Sequence, residues 1–229
     1  MHTHIGVVLD MSGSMNGFTE DTKGSVSSYV KEIKKEIKGG VFSLTAFDTV
    51  FENWIDSKPL SRVNIDEVLK KYRPRGWTAL YDAIGNTISK MRKQMNEFDE
   101  AILVVITDGY ENSSKKYTSD KIKKLVTKLQ KKGNWTFVYL GADVDAWDES
   151  SKIGISWGNT AQYKKGARQK DTGIALAAAT ITRSYSPGKT TANFFSDSGL
   201  PQNYEEEFNA DQVLADVKEK VNESVNSSK

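Results

Sequence analysis

Asp10-Met11-Ser12-Gly13-Ser14, Thr78 and Asp108 are the residues of this chain whose types and spacing suit site chemistry. They offer carboxylate and hydroxyl oxygens with no imidazole or thiolate among them. That donor set suits a hard divalent cation, Mg²⁺ where the shell is octahedral and keeps waters, with Mn²⁺ or Ca²⁺ as alternatives. In an extended or turning loop residues 10, 12 and 14 project to one side, and Gly13 lets the backbone bend sharply toward an ion. Taken alone, the first segment reads equally well as the loop and capping chemistry common between a strand and a helix. Thr78, too, stands just ahead of a helix expected from Ala79 and could cap it. It is the convergence of three segments that points to a cation site.

For these residues to meet, Asp10 and Asp108 must sit at the same end of one sheet. Ile5 to Leu9 and Ala101 to Thr107 are short, β-branched apolar runs of the kind that form strands covered on both faces, and each ends at an aspartate. Between such runs come stretches with helical periodicity: Thr19 to Lys38, Asn64 to Tyr72, Ala79 to Met95, Ser119 to Lys132 and Asp145 to Ile153. Val41 to Phe47 and Val50 to Ile55 read as an antiparallel edge pair joined by a two-residue loop, Asp48-Thr49, and Trp135 to Leu140 as a further strand. The alternation predicts a three-layer α/β fold with a central, mostly parallel sheet, one antiparallel edge strand and helices on both faces. Ligands bind outside the carboxyl ends of strands in such sheets, which is where Asp10 and Asp108 fall. Toward the C-terminus, helices are expected at Lys165 to Tyr185 and at Ala210 to Val225, with no pattern between Thr190 and Asn203. Residues 1–155 are read as the site-bearing α/β domain and 156–229 as a helical extension packed on it, frayed at its last residues.

Composition narrows the chemistry further. The 229 residues carry 32 Lys+Arg against 30 Asp+Glu, a net charge of +2, so no global field selects nucleic acid or an anionic membrane. The lysines between Lys115 and Lys132 alternate with apolar helix positions and read as a solvated face, not a nucleic-acid patch. With no cysteine, disulfides, zinc–thiolate sites and cysteine nucleophiles are excluded. The two histidines, His2 and His4, stand at the start of the chain and read as a flexible terminus, which disfavours histidine acid–base catalysis. No signal peptide or membrane-spanning run is read, and a cytoplasmic protein is expected.

The order Asp10, Ser12, Ser14, then Thr78, then Asp108 resembles the von Willebrand factor A-type domain with its metal-ion-dependent adhesion site, over roughly residues 3 to 155. The resemblance implies that Ser12 and Ser14 bind the metal directly, that Asp10 and Asp108 act through water, and that Thr78 moves in or out with ligand state. It implies, too, that an acidic residue of a partner protein completes the metal shell. On that view the protein is a non-enzymatic module capturing a partner's Asp or Glu through Mg²⁺. Residues 158–163 and the alanine-rich stretch after them resemble the C-terminal extension of stand-alone intracellular bacterial or phage A-domain proteins.

Trp77 replaces the small residue usual before the threonine, and is either a core residue or an exposed anchor for the partner. Gly109, Tyr110 and Glu111 follow Asp108 as further candidates for partner contact, with Glu111 a source of extra negative charge near the ion. Two rival functions are kept. One is a metal-dependent phosphotransferase or hydrolase with Asp10 as nucleophile, disfavoured because Ser12 stands where a second acid would be wanted. The other is an assembly subunit in which the helix from Ala210 mediates oligomerisation; the oligomeric state itself is not legible in the sequence.

Overall fold

The computed structural model describes residues 2–142, 145–163, 169–186, 191–201 and 208–227. Six strands form one sheet: β1 (Thr3–Asp10), β2 (Val41–Phe47), β3 (Phe51–Pro59), β4 (Glu100–Thr107), β5 (Trp135–Ala142) and β6 (Thr160–Tyr163). Their order is β3-β2-β1-β4-β5-β6, parallel except for the β2–β3 pair at one edge. β1 and β4 are neighbours in register, Leu9 opposite Ile106, so their C-terminal aspartates leave the sheet side by side.

Both strands are buried along nearly their whole length because helices cover each face. Ile5, Val7, Leu9, Ile102, Val104 and Ile106 pack under α1 (Thr19–Glu36), α2 (Ile65–Leu69), α6 (Gln169–Ser184) and α7 (Ala210–Ser227). Val8, Leu103 and Val105 point the other way, under α3 (Leu80–Gln94), α4 (Ser119–Gln130) and α5 (Ala146–Lys152). α1 forms where the periodicity places it, burying Val26, Tyr29, Val30 and Ile33, and Gly39 at φ +72° turns the chain into β2.

Several details depart from the sequence reading. The hairpin loop has three residues, 48–50, because the Asp48 carboxylate accepts the Val50 N–H (2.9 Å) and closes the turn by itself. His4 is no flexible terminus: β1 lies between two neighbours, so His4 is buried and its Nε2 is 3.3 Å from Asp99. Residues 160–163, in the C-terminal extension ahead of its first expected helix, add strand β6 to the sheet, where no strand is expected from the sequence. Of the segment without a pattern, residues 191–201 are described: Phe194 and Phe195 are buried in an edge-to-face pair, and a single 3₁₀ turn covers Ser196–Ser198. The expected helix start at Lys165 lies outside the described residues.

Candidate metal centre

Asp10 ends β1 with its side chain on the α3 side of the sheet, fully buried. Its Oδ1 accepts the Ser12 N–H at 2.7 Å, an Asx turn that folds the loop back over the strand end, and its Oδ2 accepts the Thr107 hydroxyl from the neighbouring strand. Tyr72 donates its phenol to the Asp10 main-chain oxygen at 2.7 Å. The turn brings Ser12 Oγ to 3.1 Å from Ser14 Oγ, and Ser14 donates to Asp108 Oδ1 at 2.7 Å. Asp10, Ser12, Ser14 and Asp108 thus form one hydrogen-bonded group at the carboxyl end of the sheet.

Thr78 arrives from a separate loop. Gly76, at φ +69°, turns that loop so that its carbonyl accepts the Gly13 N–H, while Arg75 N–H donates to Met11 O, fastening the two loops together. Arg75 also pairs with Asp48 at 2.8 Å and Glu52 at 3.0 Å, tying the loop to the hairpin tip. A Cβ built on Gly109 would lie 3.3 Å from both Ser14 Oγ and Thr78 Oγ1, so any larger residue there would press on both hydroxyls. Thr78 is not a helix cap: α3 begins after Ala79 without a side-chain cap of its own. Capping falls to the Asp108 loop, with Glu111 accepting the Tyr81 N–H (2.9 Å) and Ser114 the Asp82 N–H (3.0 Å). Asn112 grips Thr78 from both sides, its Oδ1 accepting the Thr78 N–H and its own N–H donating to Thr78 O.

These contacts relocate Glu111. Its two oxygens also accept Ser113 N–H, Ser114 N–H and the Ser114 hydroxyl, so its charge is held at the N-terminus of α3 and not offered to an ion. Trp77 resolves to the exposed alternative at 67% accessible, and Tyr110 is 57% accessible, while Gly109 is buried between them and the site.

The electrostatics fit a cation. Burial, opposed by the Thr107 and Ser12 hydrogen bonds and reinforced by the charge of Asp108, pushes the Asp10 carboxyl up to about 6. None of the groups acting on it is a cation, so two acids share a strand end with only hydroxyls and amides between them. Among the described residues no three His, Cys, Asp or Glu side chains converge, which leaves this mixed carboxylate and hydroxyl cluster as a hard-ion donor set. Ser12, Ser14, Thr78, Asp10 and Asp108 are the residues that would hold such an ion.

The sequence of residues 4–178 matches the family model of the von Willebrand factor type A domain. The chain belongs to that family. Solved structures agree on the fold of this A domain. Proximal thread matrix protein 1 from the mussel byssus superposes with TM-score 0.60 at 16% identity, covering 77% of this chain and 46% of that one. The manganese-loaded TRAP protein of Plasmodium vivax gives 0.59 at 12% identity, covering 79% and 73%. The SpRpn10 VWA domain gives 0.59 at 11%, covering 76% and 94%. The A domain described here spans less than half the length of the mussel protein. A search of the curated proteins found no match.

Within this A domain, Glu111 has the testable role of capping α3 and closing the 113–114 turn. Glu111→Ala should cost about 1–2 kcal/mol through the lost cap of α3, which a thermal melt measures.

Proposed function

We propose that this A domain is a non-enzymatic, Mg²⁺-dependent protein-binding module that captures an Asp or Glu carboxylate of a partner at the cluster of Asp10, Ser12, Ser14, Thr78 and Asp108. The carrying observation is that four of these residues are already joined through hydrogen bonds of 2.7 to 3.1 Å, Asp10 through the Ser12 backbone N–H and the others through side chains, with no cation acting on the buried Asp10. A bound divalent cation supplies a positive centre that a partner's carboxylate can bridge to. Among fold relatives, the P. vivax TRAP structure is manganese-loaded, and a mussel proximal thread matrix protein 1 structure has a zinc-occupied MIDAS motif, at 18% identity to this chain. Trp77 and Tyr110, exposed beside Thr78 and Gly109, give the partner apolar surface around the acid.

The hydrolase alternative finds less support: Asp10 is fully buried, with one oxygen accepting Ser12 N–H and the other Thr107, a poor posture for a nucleophile. The assembly alternative also finds less support, since Ala210, Leu214 and Val217 of α7 are buried in the core and Lys218 pairs with Glu32 and Glu36 of α1. Among the described residues no helix is long and apolar enough to cross a membrane. A cytoplasmic setting fits the cysteine-free composition.

A pull-down with the wild-type chain and Asp10→Ala, each in Mg²⁺ and in EDTA, tests capture: a protein retained by wild type with metal alone is the expected result, and equal retention in all four conditions contradicts it. The metal step has its own pH signature. Because the metal-free Asp10 carboxyl is raised to about 6, its protonation stabilises the metal-free fold as pH falls through that value, and bound Mg²⁺ requires the ionised form. The rise in melting temperature on adding Mg²⁺ should therefore be larger at pH 7.5 than at pH 5. Taking the difference with and without metal at each pH cancels groups remote from the site, such as His4.

A further inference from the structure

The end of the sheet opposite the metal centre carries an acidic side chain beside an aromatic one on a rigid turn. Residues 96–99 join α3 to β4, closed by Asp99 N–H to Asn96 O at 3.1 Å. The Asp99 carboxylate pins the turn by accepting the Asn96 N–H (2.9 Å) and the His2 N–H (2.8 Å). At the apex, Glu97 is exposed and Phe98, at 72%, is the most accessible of the large apolar side chains described. A turn fixed in this way loses little further entropy on docking. Among the described residues, two other acids beside exposed aromatics have their carboxylates taken up, Glu111 by the α3 cap and Glu52 by Arg75 and Trp54.

We propose that the partner at the metal centre is a second copy of this chain, whose Glu97 bridges to the cation while its Phe98 packs against Trp77 and Tyr110. This rests on the metal-binding function proposed above and names its ligand. The turn precedes the first residue of β4 and Asp108 follows its last, a strand's length of roughly 25 Å apart, so Glu97 reaches the site of another copy and not its own. The complement runs both ways. Beside the turn lies a groove of about 400 Å³, its walls mostly polar with Arg92, Lys132, Asn134 and Glu97 itself, and Met95 as the half-exposed apolar side chain over the buried Leu129 and Trp135. An exposed aromatic such as Trp77 of the adjoining copy fits such a groove, with the two cations placed to meet its ring. Acid meets cation and apolar meets apolar, each on a rigid loop. Because the two surfaces lie at opposite ends, the contact is heterologous and builds linear head-to-tail assemblies.

Sedimentation velocity over a concentration series, with thermal melts in parallel, tests this on the full chain. Wild type should grow in average mass in Mg²⁺ and be monomeric in EDTA. Glu97→Gln and Phe98→Ser, surface changes away from the centre, should each weaken association at least about tenfold while keeping the Mg²⁺-induced rise in melting temperature. Mixing Glu97→Gln, which keeps the centre, with a Ser12→Ala/Ser14→Ala chain, which keeps the acid, should give one-to-one dimers and nothing larger. A wild type that stays monomeric in Mg²⁺ yet gains thermal stability from it overturns the self-association and leaves the metal function standing. Glu97→Gln associating as strongly as wild type overturns it as well, since another acid then fills the centre. No Mg²⁺-induced rise at all overturns both.

Discussion

Replacing Ser12 and Ser14 together by alanine is expected to lower Mg²⁺ affinity at least about a hundredfold while the fold survives. The two hydroxyls stand 3.1 Å apart, and Ser14 links the Asp10 loop to Asp108, so their loss removes two direct donors and the bond that aligns a third. Ligand and supporting groups of this kind each carry about 10–100-fold in affinity. Stability should change little. Ser14 is exposed, and although Ser12 is buried its backbone N–H, not its hydroxyl, makes the 2.7 Å bond to Asp10. A lost hydroxyl hydrogen bond costs only about 1 kcal/mol. Titration calorimetry with Mg²⁺ reads the first effect and a metal-free melt the second; unchanged affinity would remove the site assignment.

Gly173→Ala should destabilise the protein by about 2 kcal/mol or more, although alanine is the better helix former by about 1 kcal/mol. α6 crosses α1 at this glycine so closely that an added Cβ would fall 2.2 Å from the Ser25 carbonyl oxygen and 3.0 Å from Ser28 Cβ. Main-chain atoms cannot swing aside as a flexible side-chain tip can. The two helices must separate, disturbing the Tyr29–Thr180 hydroxyl contact and the alanine-rich seam around it. Overpacking of this kind costs about 1–3 kcal/mol, occasionally more, which outweighs the helix-propensity gain. The sign therefore decides: a lower urea midpoint supports the close crossing, and a higher one would mean that α6 does not lie against α1 in this way.

Which features were legible in the sequence follows from how local their causes are. β1 and β4 are continuous apolar runs ended by aspartates, and α1, α3 and α4 have apolar positions three and four apart, so nearby residues carry the signal. The five candidate ligands could be picked out because their residue types are unusual together. The residues that hold them could not. Thr107 reads as the last residue of a strand until the β1–β4 register places it beside Asp10. Tyr72, Asn112 and the Arg75–Asp48 pair act across 27 to 62 residues of chain, where no spacing rule applies. Glu111 looked like charge added to an ion because its neighbour in sequence is Asp108, whereas its neighbours in space are the amides that begin α3 and the 113–114 turn. For His4 the reason is the opposite: terminal position suggests mobility, and the central place of β1 buries it.

The most direct measurement is anomalous diffraction at the manganese edge from crystals of the full chain grown with Mn²⁺. The account predicts one strong peak at the carboxyl ends of β1 and β4, at a coordination distance of about 2.0–2.3 Å from Ser12 Oγ and Ser14 Oγ. A peak elsewhere, or none at full Mn²⁺ excess, would contradict it.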